Sequence, residues 1–166
     1  MESKAKLFGH AIHPVLIVFP LGLLATAVVF DIVWLLSAVS SFAVVSYWMI
    51  VAGLIGGLLA APFGLIDWFA IPGGTRARTV GLVHGLTMFL TLVLFFVSWW
   101  LRPSYAASSI ALAFSFIGAA TALAGGWLGG ELVERLGVGV DDGAHLNAPN
   151  SLTTSSARAN VPVQDR

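Results

Sequence analysis

The stretch FAVVSYWMIVAGLIGGLLAAPFGLI, residues 42–66, contains no charged side chain. A helix of this length covers a hydrocarbon core of roughly 30 Å, which takes about 20 residues. A single strand could not do so, because backbone polar groups in lipid need partners within their own segment. Three further apolar runs flank it, near Pro14–Leu36, Val80–Leu101 and Ala106–Gly129. Together they predict an all-α integral membrane protein, a four-helix bundle made of two helical hairpins.

The rest of the composition agrees. Hydrophobic residues make up 58% of the 166 residues, charged residues only 10%, and the mean hydropathy is +0.92. A soluble domain carries about 25% charged residues on its surface. Eight basic residues balance eight acidic ones, which leaves no excess charge for nucleic acid. The absence of cysteine excludes disulfides, thiolate-bound zinc, iron–sulfur clusters and thiol catalysis.

Local signals set the expected boundaries. Pro14 suits a first helical position with His13 as N-cap, Ser40 and Ser41 can cap the second span, and Thr79 the third. Ile71-Pro72-Gly73-Gly74 breaks the chain between spans two and three, and Pro20 and Pro62 should bend their helices. Lys4 and Lys6 before the first run resemble a signal-peptide start, but the run exceeds the usual apolar core of about 7–15 residues and reads as a retained span. Lys4, Lys6, Arg76, Arg78 and Arg135 fall on one side and Arg102 on the other, which puts both termini in the cytoplasm. Trp34, Trp48, Trp99, Trp100 and Tyr105 form the outer aromatic belt, with Trp68 and Trp127 at the inner face. Residues 1–136 are the membrane domain; from Gly137 to Arg166 the chain turns polar and reads as a disordered cytoplasmic tail.

The two hairpins share a plan. His13 opens the first span and His84 lies in the first turns of the third; the glycine-rich second and fourth spans end beside Asp67 and Glu131. This suggests a parallel internal repeat about an axis along the membrane normal. Gly53-x-x-x-Gly57, Gly125-x-x-x-Gly129 and Gly126-x-x-x-Gly130 allow close helix contact, and Gly126 is taken as a contact residue. His10, His13, Asp67, His84 and Glu131 then share one depth at the inner interface. Thr87 and Thr91 continue a polar stripe from His84.

Each group also has a plain structural explanation. Glu131 can pair with Arg135 at i+4, Asp67 with Arg76 or Arg78, and Asp31 with Arg102. His145 reads as solvated. Three functions stay open. His13 and His84 could be axial ligands of a b-type haem, with Arg76 and Arg78 on its propionates, in a small electron-transfer protein with a redox partner. His10, His13, His84, Glu131 and Asp67 could instead hold a divalent metal or a proton. Alternatively, the cluster only orders helix ends in a noncatalytic scaffold or accessory subunit. No nucleophile with an orienting base is legible, so an enzyme is not expected.

Three segments carry a family resemblance. Gly9-His10-Ala11-Ile12-His13-Pro14-Val15-Leu16 with Phe19-Pro20-Leu21-Gly22 resembles the opening of the bacterial membrane proteins gathered as domain of unknown function 2231. Phe63-Gly64-Leu65-Ile66-Asp67-Trp68, Ile71-Pro72, Gly74-Thr75-Arg76-Ala77 and His84-Gly85 resemble its middle, and Gly126-Trp127-Leu128-Gly129-Gly130-Glu131-Leu132-Val133 its end. The resemblance spans about residues 9–140. It implies a four-helix inner-membrane domain, in some relatives joined to a Rieske-type domain, which hints at electron transfer. This chain departs at Ala11, where relatives often have proline, and at Val18, where many have histidine.

Overall fold

The computed structural model describes residues 1–152. A two-residue hairpin, β1 (Lys6–Leu7) and β2 (His10–Ala11), precedes α1 (Ile12–Leu16), α2 (Val18–Ser37), α3 (Ser40–Ala70), α4 (Arg76–Trp100) and α5 (Ser109–Gly130). A π-helical turn, Glu131–Arg135, extends α5. The four long apolar segments are Ile12–Ser37, Ser40–Ala70, Arg76–Trp100 and Ser109–Arg135, so the expected four-helix membrane architecture is present.

The boundaries correct the local reading of the helix caps. Helix α1 begins at Ile12 behind Ala11, so His13 is inside the first turn rather than capping it. Pro20 lacks the N–H that the Leu16 carbonyl would accept, and the first span divides at Ile17 between α1 and α2. Val39, rather than Ser40 or Ser41, stands at the N-cap of α3, and Pro62 lies inside that helix without dividing it. Thr75, not Thr79, caps α4, accepting the Arg78 N–H at 3.2 Å. His84 therefore lies about 12 Å into its helix at 1.5 Å per residue, twice the expected depth.

Large apolar side chains such as Phe89, Leu123 and Trp127 face outward, as lipid permits. The interior holds small residues around Leu24, Ala27, Ile50 and Phe95. Helices α2 and α3 form one hairpin and α4 and α5 the other; they meet mainly along α3 and α4.

The internal repeat has a constant register. A Cβ on Gly53 would meet Leu24, and one on Gly118 would meet Phe95. Gly56 lies against Pro20, while Thr121 meets Thr91 through their hydroxyls at 3.0 Å. Gly64 lies against His13, and Gly129 against His84. On the leading helices every pair (His13 and His84, Pro20 and Thr91, Leu24 and Phe95) is separated by 71 positions, the separation of Asp31 and Arg102. On the trailing helices Gly53 and Gly118, Gly56 and Thr121, and Gly64 and Gly129 keep a second constant separation. The two hairpins share one contact register, and Asp31 and Arg102 are equivalent positions in it that touch.

The packing glycine is not the expected one. A Cβ on Gly126 meets nothing within 4 Å, whereas one on Gly125 would run into Met88. The polar segment expected to hang free from Gly137 begins instead against the N terminus. Gly139 N–H donates to the Met1 carbonyl at 2.9 Å, and Lys6 reaches Asp141 at 3.4 Å and Glu2 at 2.7 Å. The remainder of that expected tail, residues 153–166, lies outside the described residues.

Candidate functional site

The helix ends beside the N terminus form the histidine end of the bundle and bring together part of the expected cluster. His13 Nδ1 is 3.0 Å from the Ala60 carbonyl of α3, and His84 Nδ1 is 2.9 Å from the Gly125 carbonyl of α5. Ala60 and Gly125 are equivalent in the repeat, so one contact is made twice. A carbonyl only accepts, so each Nδ1 carries the hydrogen; a neutral ring in this position has its lone pair on Nε2. Neither Nε2 has a hydrogen-bond partner among the described residues.

The neighbouring groups are engaged elsewhere. Asp67 accepts the Ser3 hydroxyl on both oxygens at 2.8 Å and the Lys4 N–H at 2.8 Å, rather than pairing with Arg76 or Arg78. Glu131 pairs with Arg76 at 2.6 Å, not with Arg135. The π turn explains this, since its i→i+5 ladder, closed by Leu136 N–H on the Glu131 carbonyl, shifts Arg135 off the i+4 position. Arg78 stacks over Trp68, 4.5 Å from the ring centroid, and donates to the Ile71 carbonyl at 2.7 Å, closing the end of α3. His10 sits exposed on β2, its Nε2 3.2 Å from the Ser151 hydroxyl, and not on one helix with His13. His145 is exposed. Among the described residues no three His, Cys, Asp or Glu side chains converge as a metal-holding group.

Thr87 returns its hydroxyl to the Val83 carbonyl at 2.8 Å, and Thr91 joins Thr121. Thr121, Ala60, Gly64 and Ser3 escaped the reading of the sequence. The repeat register could have found Ala60 and Gly64, because it aligns them with Gly125 and Gly129.

At the opposite, ion-pair end, Arg102 grips Asp31 with two bonds of 2.7 Å, and both are buried. Ser46 donates to Asp31 at 2.5 Å, while Ser115 and Ser98 accept from Arg102 at 2.9 and 3.1 Å. The pair expected from the sequence is therefore present, inside a shell of three buried hydroxyls. In a bilayer such charges persist only when paired.

A family model described as a predicted membrane protein, DUF2231, matches residues 9–142. No curated protein and no solved structure matches the chain.

Proposed function

We propose, on the premise that this chain belongs to the DUF2231 family of predicted membrane proteins, that it is a small b-type haem protein of the bacterial inner membrane, with His13 and His84 as axial ligands. The supporting observation is the repeated anchoring of the two imidazoles. Each donates Nδ1–H to a backbone carbonyl and keeps an unpartnered Nε2 lone pair. Such a second hydrogen bond fixes the ring and raises the basicity of a ligating histidine.

Two acceptor nitrogens cannot satisfy one another, so a group they share must be an electrophile or a hydrogen-bond donor, and we take the electrophile. Ligand count separates the candidates. A structural zinc ion takes four protein ligands and a catalytic one three, and no third group converges here among the described residues. Haem iron takes four nitrogens from its own macrocycle and needs only two more. With His13 and His84 both holding it, a bound haem would supply electron transfer rather than oxygen binding. Of the two basic residues considered for the propionates, Arg76 is mostly exposed and, among the described residues, held by Glu131. Arg78 is tied to Trp68 and to carbonyls at the end of α3.

The same reading puts the termini, and hence the redox partner, on the cytoplasmic side. Among the described residues, Lys4, Lys6, Arg76, Arg78 and Arg135 belong to the histidine end, and Arg102, the only basic residue at the other end, is buried in its ion pair. The bias is then five to none among residues that meet water or headgroups.

The test is the absorption spectrum and haem content of detergent-purified protein from haem-replete cells. One haem per chain with a six-coordinate spectrum is expected. A colourless wild-type protein overturns the haem reading. The two imidazole–carbonyl bonds would then serve only to tie α1 to α3 and α4 to α5, as in a noncatalytic accessory subunit.

A further inference from the structure

We infer that Gly64 and Gly129 are the positioning residues of the paired histidines, setting which ring nitrogen carries the proton and therefore which one faces a ligand. This rests on the reading of His13 and His84 as a ligand pair, but its geometry stands independently. A helical carbonyl at position n points along the axis toward residue n+4, whose N–H takes one of its two lone pairs. A side chain at n+4 leans back over the preceding turn and covers the second. With glycine at that position the carbonyl stays open from the side.

The structure has this arrangement twice. His13 reaches the Ala60 carbonyl at 3.0 Å, and Gly64, four residues on, lies directly under its ring. His84 reaches the Gly125 carbonyl at 2.9 Å, with Gly129 four residues on beneath it. A methyl group would press on the face of each ring. At Gly64 an added Cβ lies 2.8 Å from His13 Cε1 and 3.0 Å from Nδ1; at Gly129 it lies 3.2 Å from His84 Cε1 and 3.5 Å from Nδ1. The first distance forces the imidazole off its carbonyl, and the second asks for a few tenths of an ångström. A displaced ring no longer has to hold its hydrogen on Nδ1. With the hydrogen on Nε2, the lone pair that would bind an electrophile is gone.

The experiment is ¹⁵N NMR of the full chain labelled at histidine, in detergent at alkaline pH, with haem content and thermal unfolding measured in parallel. In the wild type both His13 and His84 should be held in the Nδ1–H tautomer. Gly64→Ala should give His13 a mixed or inverted tautomer, leave His84 unchanged and convert any bound haem from six- to five-coordinate. Gly129→Ala should shift His84 alone and by less, and it remains informative if Gly64→Ala fails to fold. Gly126→Ala, which adds a methyl group into open space, should change nothing. Folded Gly64→Ala and Gly129→Ala proteins with wild-type tautomers would overturn the inference, as would a tautomer change in Gly126→Ala. A colourless wild-type protein whose tautomers respond as described would refute the haem reading and leave the positioning role established.

Discussion

The two ends of the bundle solve the same symmetry problem in opposite ways. At the ion-pair end the repeat brings equivalent positions together with unlike residues, Asp31 and Arg102, which satisfy one another at 2.7 Å. At the histidine end the equivalent residues are identical. His13 and His84 each turn Nδ1 to a carbonyl in their own hairpin and keep like lone pairs. Unlike partners close a site; identical acceptors leave it open to something that accepts electrons from both. The first end therefore belongs to folding, and the second is the end proposed to bind.

The sharpest way to break this contrast is to remove one charge. Arg102→Ala leaves the Asp31 carboxylate buried without its partner and should cost about 3–5 kcal/mol, seen as a large drop in thermal unfolding temperature in detergent. Replacing both by leucine should recover most of that loss, because a buried ion pair is often no more stabilising than apolar packing. A single variant as stable as wild type would show that the pair does not hold the hairpins together.

A smaller effect is expected from overpacking the hairpin contacts. Gly53→Leu drives a side chain into Leu24, whose Cδ2 lies 2.6 Å from the point where a Cβ on residue 53 would stand, and should destabilise by about 1–3 kcal/mol. Gly126→Leu, into open space, should move the unfolding temperature hardly at all. Equal responses from the two would contradict the packing register.

That pair of glycines also marks how far the sequence could be read. Hydropathy located four spans because length and apolarity are local properties. The overlapping small-residue frames at Gly125, Gly126, Gly129 and Gly130 look alike, and only the partner helix decides which of them faces inward. Asp31 and Arg102 were legible as a pair because each is an isolated charge at one bilayer depth. Asp67 and Glu131 were not, because their partners depend on where the N-terminal segment runs and on a π turn that rotates Arg135 away. His13 and His84 stood out in sequence, but their anchors are backbone carbonyls, which no residue type announces.

Removing either histidine should separate binding from folding. His84→Ala and His13→Ala each lose one neutral hydrogen bond, about 1 kcal/mol, while abolishing bound haem; His145→Ala should change neither. Thermal unfolding and haem content on the same samples give both readings. A haem-free His84→Ala protein that has also lost several kcal/mol would make this end structural too.

The smallest effect belongs to the clasp of the N terminus. The hydrogen bond from Lys6 holds the Glu2 carboxyl below its ordinary value of 4.5 and the Lys6 ammonium above its ordinary 10.5. Glu2 thus contributes above pH 4.5 and loses its contribution as the pH falls through its lowered value. Lys6 contributes below 10.5 and loses its contribution as the pH rises through its raised value. Amide exchange at residues 2–6 should quicken at both extremes relative to Glu2→Gln; identical profiles for the two proteins would remove the pair from the account.

The most direct measurement of the central claim is electron paramagnetic resonance of the oxidised, haem-replete protein beside its His84→Ala variant. Two axial imidazoles predict a low-spin ferric signal in the wild type that becomes high-spin, or disappears with the haem, in the variant. A wild type with no haem signal, or a low-spin signal that survives in His84→Ala, would contradict it.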